Sequence, residues 1–178
     1  MRLSQVLIGV LGLLLNLSLC PGAQEPDRAL PITTELKNAA GQIIGHVTLT
    51  QEGAGVRVAV QVQGLPPGTY PMHFHAVGKC TPPDFTSSGG VFSSPMGHEV
   101  DEHGQPHPPE GSLPHLTVRQ GGRAKATMLN PHVSLWTDRV DSLLHPGGTA
   151  LVIHGARSKK IMACGVITPE QGQQPQHR

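Results

Sequence analysis

Four valines, Val56, Val58, Val60 and Val62, alternate strictly with Arg57, Ala59, Gln61 and Gln63. Successive side chains of an extended chain point to opposite faces, so a period of two marks a strand with one buried face. The stretch before it has the same character. From Ile43 to Thr50, Ile43, Gly45, Val47 and Leu49 share one face, and Ile44, His46, Thr48 and Thr50 share the other. Ile32 to Leu36 reads as an earlier strand. Turn signals separate these runs at Ala40-Gly41, at Glu52 to Gly55 and at Gly64-Leu65-Pro66-Pro67-Gly68. Short strands joined by glycine and proline turns predict an all-β antiparallel sandwich or barrel. The 22 glycines and 17 prolines, against 3% aromatics, agree with that class.

The next strand, Tyr70-Pro71-Met72-His73-Phe74-His75, carries the chemistry. His73 and His75 point the same way and Phe74 turns to the other side. Two imidazoles fixed two residues apart form half of a metal site, and imidazole suits copper and zinc. His154 ends the apolar run Thr149 to Ile153 and can supply a third. The plainer alternative is a pair of polar histidines on the solvent face of a half-exposed strand. Leu116 to Val118 and Ala124 to Leu129 read as two further strands across Gly121-Gly122. Asp138 to Leu144 is expected to form a turn of helix, and Trp136, the one tryptophan, to pack.

An ordered set of short motifs resembles the copper/zinc superoxide dismutase family. The set runs through Gly41-Gln42-Ile43-Ile44-Gly45, Gly64-Leu65-Pro66-Pro67-Gly68, His73-Phe74-His75 and Gly78-Lys79-Cys80. It continues through Leu113-Pro114, Ser142-Leu143-Leu144, Gly147 to His154, and Ala163-Cys164-Gly165-Val166-Ile167. The resemblance implies a Greek-key β-barrel of eight strands with copper on its outer wall, held by His73, His75 and His154. It maps the family disulfide onto Cys80 and Cys164. These two cysteines also stand as an even pair once Cys20 is set aside with the N-terminal leader.

The departures from the family pattern are specific. Val91 stands in Gly89-Gly90-Val91 where the family has a metal-bridging histidine. Ser112 stands where a zinc-binding aspartate is expected, and Pro109 where a histidine is expected. Ile161 occupies the place of an arginine beside the copper, and only ten positions separate His154 from Cys164. The resemblance therefore implies a degraded or absent zinc site, like the copper-only branch of the family. His98, His103 and His107, with Glu99, Asp101 and Glu102 among them, offer substitute copper or zinc ligands, His98 foremost. His115 is given no role.

The ends of the chain read as leader and tail. Val6 to Leu19 is an apolar run behind a basic start, short for a membrane span and suited to a signal peptide over residues 1–23. Cys20 permits the alternative of lipoprotein processing and a lipid anchor. Residues 24–30 form a polar leader, residues 31–168 the barrel domain, and residues 169–178 a disordered Gln-rich tail. The net charge of +1 gives no electrostatic case for nucleic acid. The expectation is an exported protein, periplasmic or extracellular, that dismutes superoxide at copper. The alternative is a copper-holding protein with little turnover.

Overall fold

The computed structural model describes residues 30–94 and 108–172. Eight strands follow in order: β1 (Ile32–Lys37), β2 (Ile43–Glu52), β3 (Gly55–Gln63), β4 (Gly68–His75), β5 (Ser112–Val118), β6 (Arg123–Asn130), β7 (Thr149–His154) and β8 (Ile161–Ile167). They form one antiparallel sheet in the order β5-β4-β7-β8-β1-β2-β3-β6, curled into a nearly closed barrel. The Greek-key connection brings β4 and β7, distant in sequence, side by side, with Met72 opposite Ile153 and His75 opposite Ala150. The histidines of β4 and β7 thereby become neighbours.

The alternation read from the sequence is the inside–outside pattern of the barrel. Val56, Val58 and Val60 are fully buried and Val62 nearly so, as are Val47 and Leu49 of β2. On β4 the core takes Tyr70, Met72 and Phe74, which sends His73 and His75 to the outer wall. Phe74 is fully buried among the core residues. Phe74→Ala is expected to cost about 3–5 kcal/mol, read as a lowered urea midpoint in equilibrium unfolding.

The sheet stays open between β5 and β6, whose ladders run to β4 and β3 respectively. Arg123 and Lys125 on β6 are exposed there, and charged side chains on an edge strand discourage pairing with another chain. Pro114 sits in β5, an edge strand, where its missing N–H does least harm. The strand is longer than the sequence pattern predicts, starting at Ser112 rather than Leu116.

A second, smaller apolar cluster lies on the outer wall: Phe85, Ala150, Val152, Ile161 and Cys164, with Ala39 and Cys80 against it. Cys80 and Cys164 form a disulfide with their Cα atoms 5.7 Å apart. The bond ties the loop after β4 to β8. That loop is also held by Gly78 N–H donating to Gly147 O and by Phe85, which is fully buried.

Two local expectations are corrected. Residues 138–144 form no helix; they make turns and an isolated bridge between Ser134 and Ser142. The backbone groups that a helix would pair internally go instead to Ser134, which donates to Asp141 O and accepts from Leu143 N–H. Arg139 closes the turn with two bonds to the Asp141 carboxylate, both 2.9 Å. The chain past Thr168 begins with a 3-10 turn, Pro169–Gly172, capped by Thr168 N–H donating to Gln171 Oε1. Residues 1–29 and 173–178 lie outside the described residues.

Candidate metal centre

His73, His75 and His154 each bring a ring nitrogen to a group whose atoms all lie within 4.8 Å of one another. The ring centroids of His73 and His75 stand 5.2 and 5.4 Å from that of His154. Strand alternation fixes the first two, and the β4–β7 ladder fixes the third. Among the described residues this is the one cluster of histidine, cysteine or carboxylate groups with such geometry.

The hydrogen bonds around the site determine which nitrogens carry protons. His75 Nδ1 lies 2.7 Å from Gly89 O and 3.0 Å from Ser88 Oγ. The Ser88 hydroxyl gives its proton to Phe85 O, so both neighbours of Nδ1 are acceptors. Nδ1 is therefore the protonated nitrogen of His75, and Nε2 carries a lone pair. His154 Nδ1 donates to Lys159 O at 3.1 Å, which leaves its Nε2 bare as well. The two Nε2 atoms face each other at 3.3 Å. His73 Nδ1 is buried and has no hydrogen-bond partner among the described residues. Facing lone pairs and an orphaned buried nitrogen are costly unless something electrophilic sits among them. This donor set fits a metal cation.

Loop geometry supports the arrangement. Gly89 has a positive φ of 74°, a conformation glycine adopts without strain, and its carbonyl faces His75. Phe92 N–H donates to Phe74 O, Gly111 N–H to Phe92 O, and Phe74 N–H to Gly111 O. A Cβ on Gly111 would lie 2.5 Å from Phe74 O, so only glycine fits this junction. The junction seats Val91 in an isolated bridge with His75.

Burial holds His73 well below the ordinary histidine value, at about 4, with the fields of His154, His75 and His115 acting in the same sense. His75 is lowered chiefly by burial; the Gly89 hydrogen bond opposes this and His154 adds to it. Both imidazoles are neutral near pH 7 and ready to ligate. The shift of His73 has a consequence for the metal-free protein. The unfolded chain, with its histidine near 6.5, binds the extra proton first. Stability is then complete above pH 6.5 and falls as the pH drops toward 4, by on the order of 2–3 kcal/mol. Urea midpoints at neutral and acid pH measure this slope, and His73→Gln is expected to flatten it.

The positions where the family pattern is broken have other partners. Ile161 is buried in the outer apolar cluster with Cys164. Arg157, Lys159 and Lys160 are exposed on the turn between β7 and β8. Ser112 and Pro109 close a tight turn, Ser112 N–H donating to Pro109 O at 2.8 Å. The Glu110 carboxylate between them accepts from the backbone and hydroxyl of Ser94, and Asn130 donates to Glu110 O. His98, His103 and His107 fall in residues 95–107, outside the described residues.

The profile of the family described as copper/zinc superoxide dismutase (SODC) matches residues 43–167 of this chain. The chain belongs to the copper/zinc superoxide dismutase family. Among its relatives, superoxide dismutase [Cu-Zn] 2 of Aquifex aeolicus is 34% identical, the match covering 93% of this chain and 98% of the relative. Superoxide dismutase [Cu-Zn] of Escherichia coli strain K12 is 29% identical, covering 86% of this chain and 95% of the relative. The crystal structure of a SOD-like protein from Bacillus subtilis superposes with a TM-score of 0.67 at 25% identity, over 75% of this chain and 96% of that one. The barrel and the disulfide of this chain accord with superoxide dismutase family membership. The sequence had pointed to all three histidines. It gave no sign of Ser88, Gly89 or the Lys159 carbonyl, which act through loop conformation.

Proposed function

We propose that this chain is an exported copper-dependent superoxide dismutase that works without the family's zinc site. The observation that carries the reading is the convergence of three imidazoles whose inward nitrogens are left unprotonated or unpartnered. His73 through Nδ1, and His75 and His154 through Nε2, would hold the metal. For a given nitrogen set, divalent copper binds more tightly than its first-row neighbours. Copper, when bound, supplies one-electron exchange with two superoxide ions, which with two protons become dioxygen and hydrogen peroxide.

The remaining work falls to the chain. Gly89 and Ser88 hold the His75 ring, and the Lys159 carbonyl holds that of His154. Arg157, Lys159 and Lys160 place exposed positive charge on the turn beside His154, which favours approach of a small anion. A zinc site of the family type would need groups that Ser112 and Pro109 do not supply. His98, His103 and His107 remain candidates for a substitute ligand. The apolar run of residues 6–19 and the Cys80–Cys164 disulfide support export to an oxidising compartment, with Cys20 the one candidate for a lipid anchor.

The second reading, a copper-holding protein with little turnover, is favoured by Val91 and Ile161. These positions give neither a fourth imidazole nor an arginine beside the site. Superoxide consumption by copper-loaded, zinc-free protein separates the two. A rate well above that of the His73→Ala variant supports the dismutase. A rate no greater than that variant's, with activity appearing only in Val91→His, would establish the holding protein instead.

A further inference from the structure

Two of the three imidazoles have their outward nitrogen fixed by the protein. His75 is held by Gly89 and Ser88, and His154 by Lys159. On the reading that His73 ligates through its buried Nδ1, its proton lies on Nε2, and no hydrogen bond joins that atom to any described residue. A metal-binding histidine nearly always donates its other ring N–H to an acceptor, which fixes tautomer and ring orientation.

The strand register identifies the candidate for that place. The β4–β5 ladder pairs Met72 with Leu113 and Tyr70 with Leu116, and the irregularity between them sets Pro114 and His115 together opposite Pro71. Leu113 and Leu116 are buried while Pro114 and His115 are exposed, so His115 shares the outer wall with His73. On the other side of β4, Met72 pairs with Ile153, and one further step sets His154 opposite Pro71. His115 and His154 thus flank Pro71 from opposite sides, and each is a diagonal neighbour of His73. Diagonal neighbours stand roughly 7–8 Å apart at the backbone, within reach of an aromatic side chain. His154 already makes that reach, its ring 5.2 Å from that of His73. The field of His115 is felt at His73 too.

We propose that His115 is the outer partner of His73, a ring nitrogen of His115 accepting the Nε2 proton of His73 so that Nδ1 stays bare and aimed inward. The His115 side chain is exposed on the same wall, at a diagonal position an aromatic side chain can span. It is a positioning residue, acting through His73, and its value to the metal rests on the copper reading above. The bond itself does not depend on bound metal.

The test has two arms. In metal-free protein, long-range proton–nitrogen NMR of the ring of His73 reads its tautomer and the exchange of its Nε2 proton. The wild type is expected to show one tautomer with a slowly exchanging proton. His115→Ala should mix the tautomers and speed exchange about tenfold, and His115→Gln, whose amide oxygen accepts, should restore the wild-type pattern. A His73 signal unchanged in His115→Ala overturns the proposal. In the second arm, copper affinity measured against a competing chelator should fall about tenfold in His115→Ala and recover in His115→Gln, with the copper EPR hyperfine splitting moving in parallel. Equal affinities and spectra for all three proteins overturn the role toward the metal. Failure of the wild type to take up copper at all would instead remove the copper reading, and the NMR arm would still decide the contact. Thermal midpoints of the metal-free variants, expected to match the wild type, confirm folding.

Discussion

Replacing His154 by alanine is expected to lower copper affinity by more than about 100-fold while leaving the metal-free protein at least as stable as the wild type. An outer partner of a metal ligand is worth about 10–100-fold in affinity, and removing a ligand itself should exceed that. The stability half of the prediction comes from the electrostatics among the three imidazoles themselves. In the metal-free chain the Nε2 lone pairs of His75 and His154 face each other at 3.3 Å. Removing one ring relieves that opposition, and the half-buried end of β7 loses little packing. An ordinary core substitution lowers stability and leaves metal affinity largely alone; this one should do the reverse. Copper titration with a competing chelator and urea unfolding of the metal-free variant check the two halves. Unchanged affinity would mean that the three histidines do not bind the metal together.

How much of this could be read from the sequence depends on whether the determining contacts are periodic or conformational. Burial alternates with period two along β3, and the valines display it directly. The outward aim of His73 and His75 follows from the inward aim of Phe74 by the same rule. That His154 meets them required the pairing of β4 with β7, which no local pattern encodes; the family resemblance supplied it. The extent of β5 was hidden by Pro114, a residue that marks a loop in most contexts but is tolerated on this edge strand. Residues 138–144 looked helical in composition, yet their backbone groups are claimed by Ser134 across the loop. The contacts that set the imidazole tautomers come from the carbonyls of Gly89 and Lys159, and a carbonyl has no signature in a sequence. His115 shows the same limit. Its place beside His73 depends on one irregularity in the β4–β5 register.

The second large effect is expected from the disulfide. Cys164→Ser should cost roughly 4–5 kcal/mol by the chain-entropy argument for a closed loop of this length, the two cysteines being 84 positions apart. The same substitution should also weaken copper binding, although neither cysteine is a ligand. The loop after β4 carries Phe85, Ser88 and Gly89. Its hold on the barrel includes the disulfide, the burial of Phe85 in the cluster with Val152 and Ile161, the Gly78 to Gly147 hydrogen bond, and the bonds from Ala76 and Val77 N–H to Gly90 O and Ser88 O. Releasing the covalent tie frees Ser88 and the Gly89 carbonyl to move away from His75 Nδ1. The proton of His75 is then no longer held off Nε2, the nitrogen that the proposed copper site uses. Thermal unfolding should show the stability loss as a drop of about 10–20 °C in Tm, and chelator competition should show copper affinity falling by about tenfold. A variant that loses the stability yet keeps the affinity would show that Phe85 and Gly78 anchor the loop without covalent help. Cys80→Ser should reproduce both effects, since either change breaks the same bond.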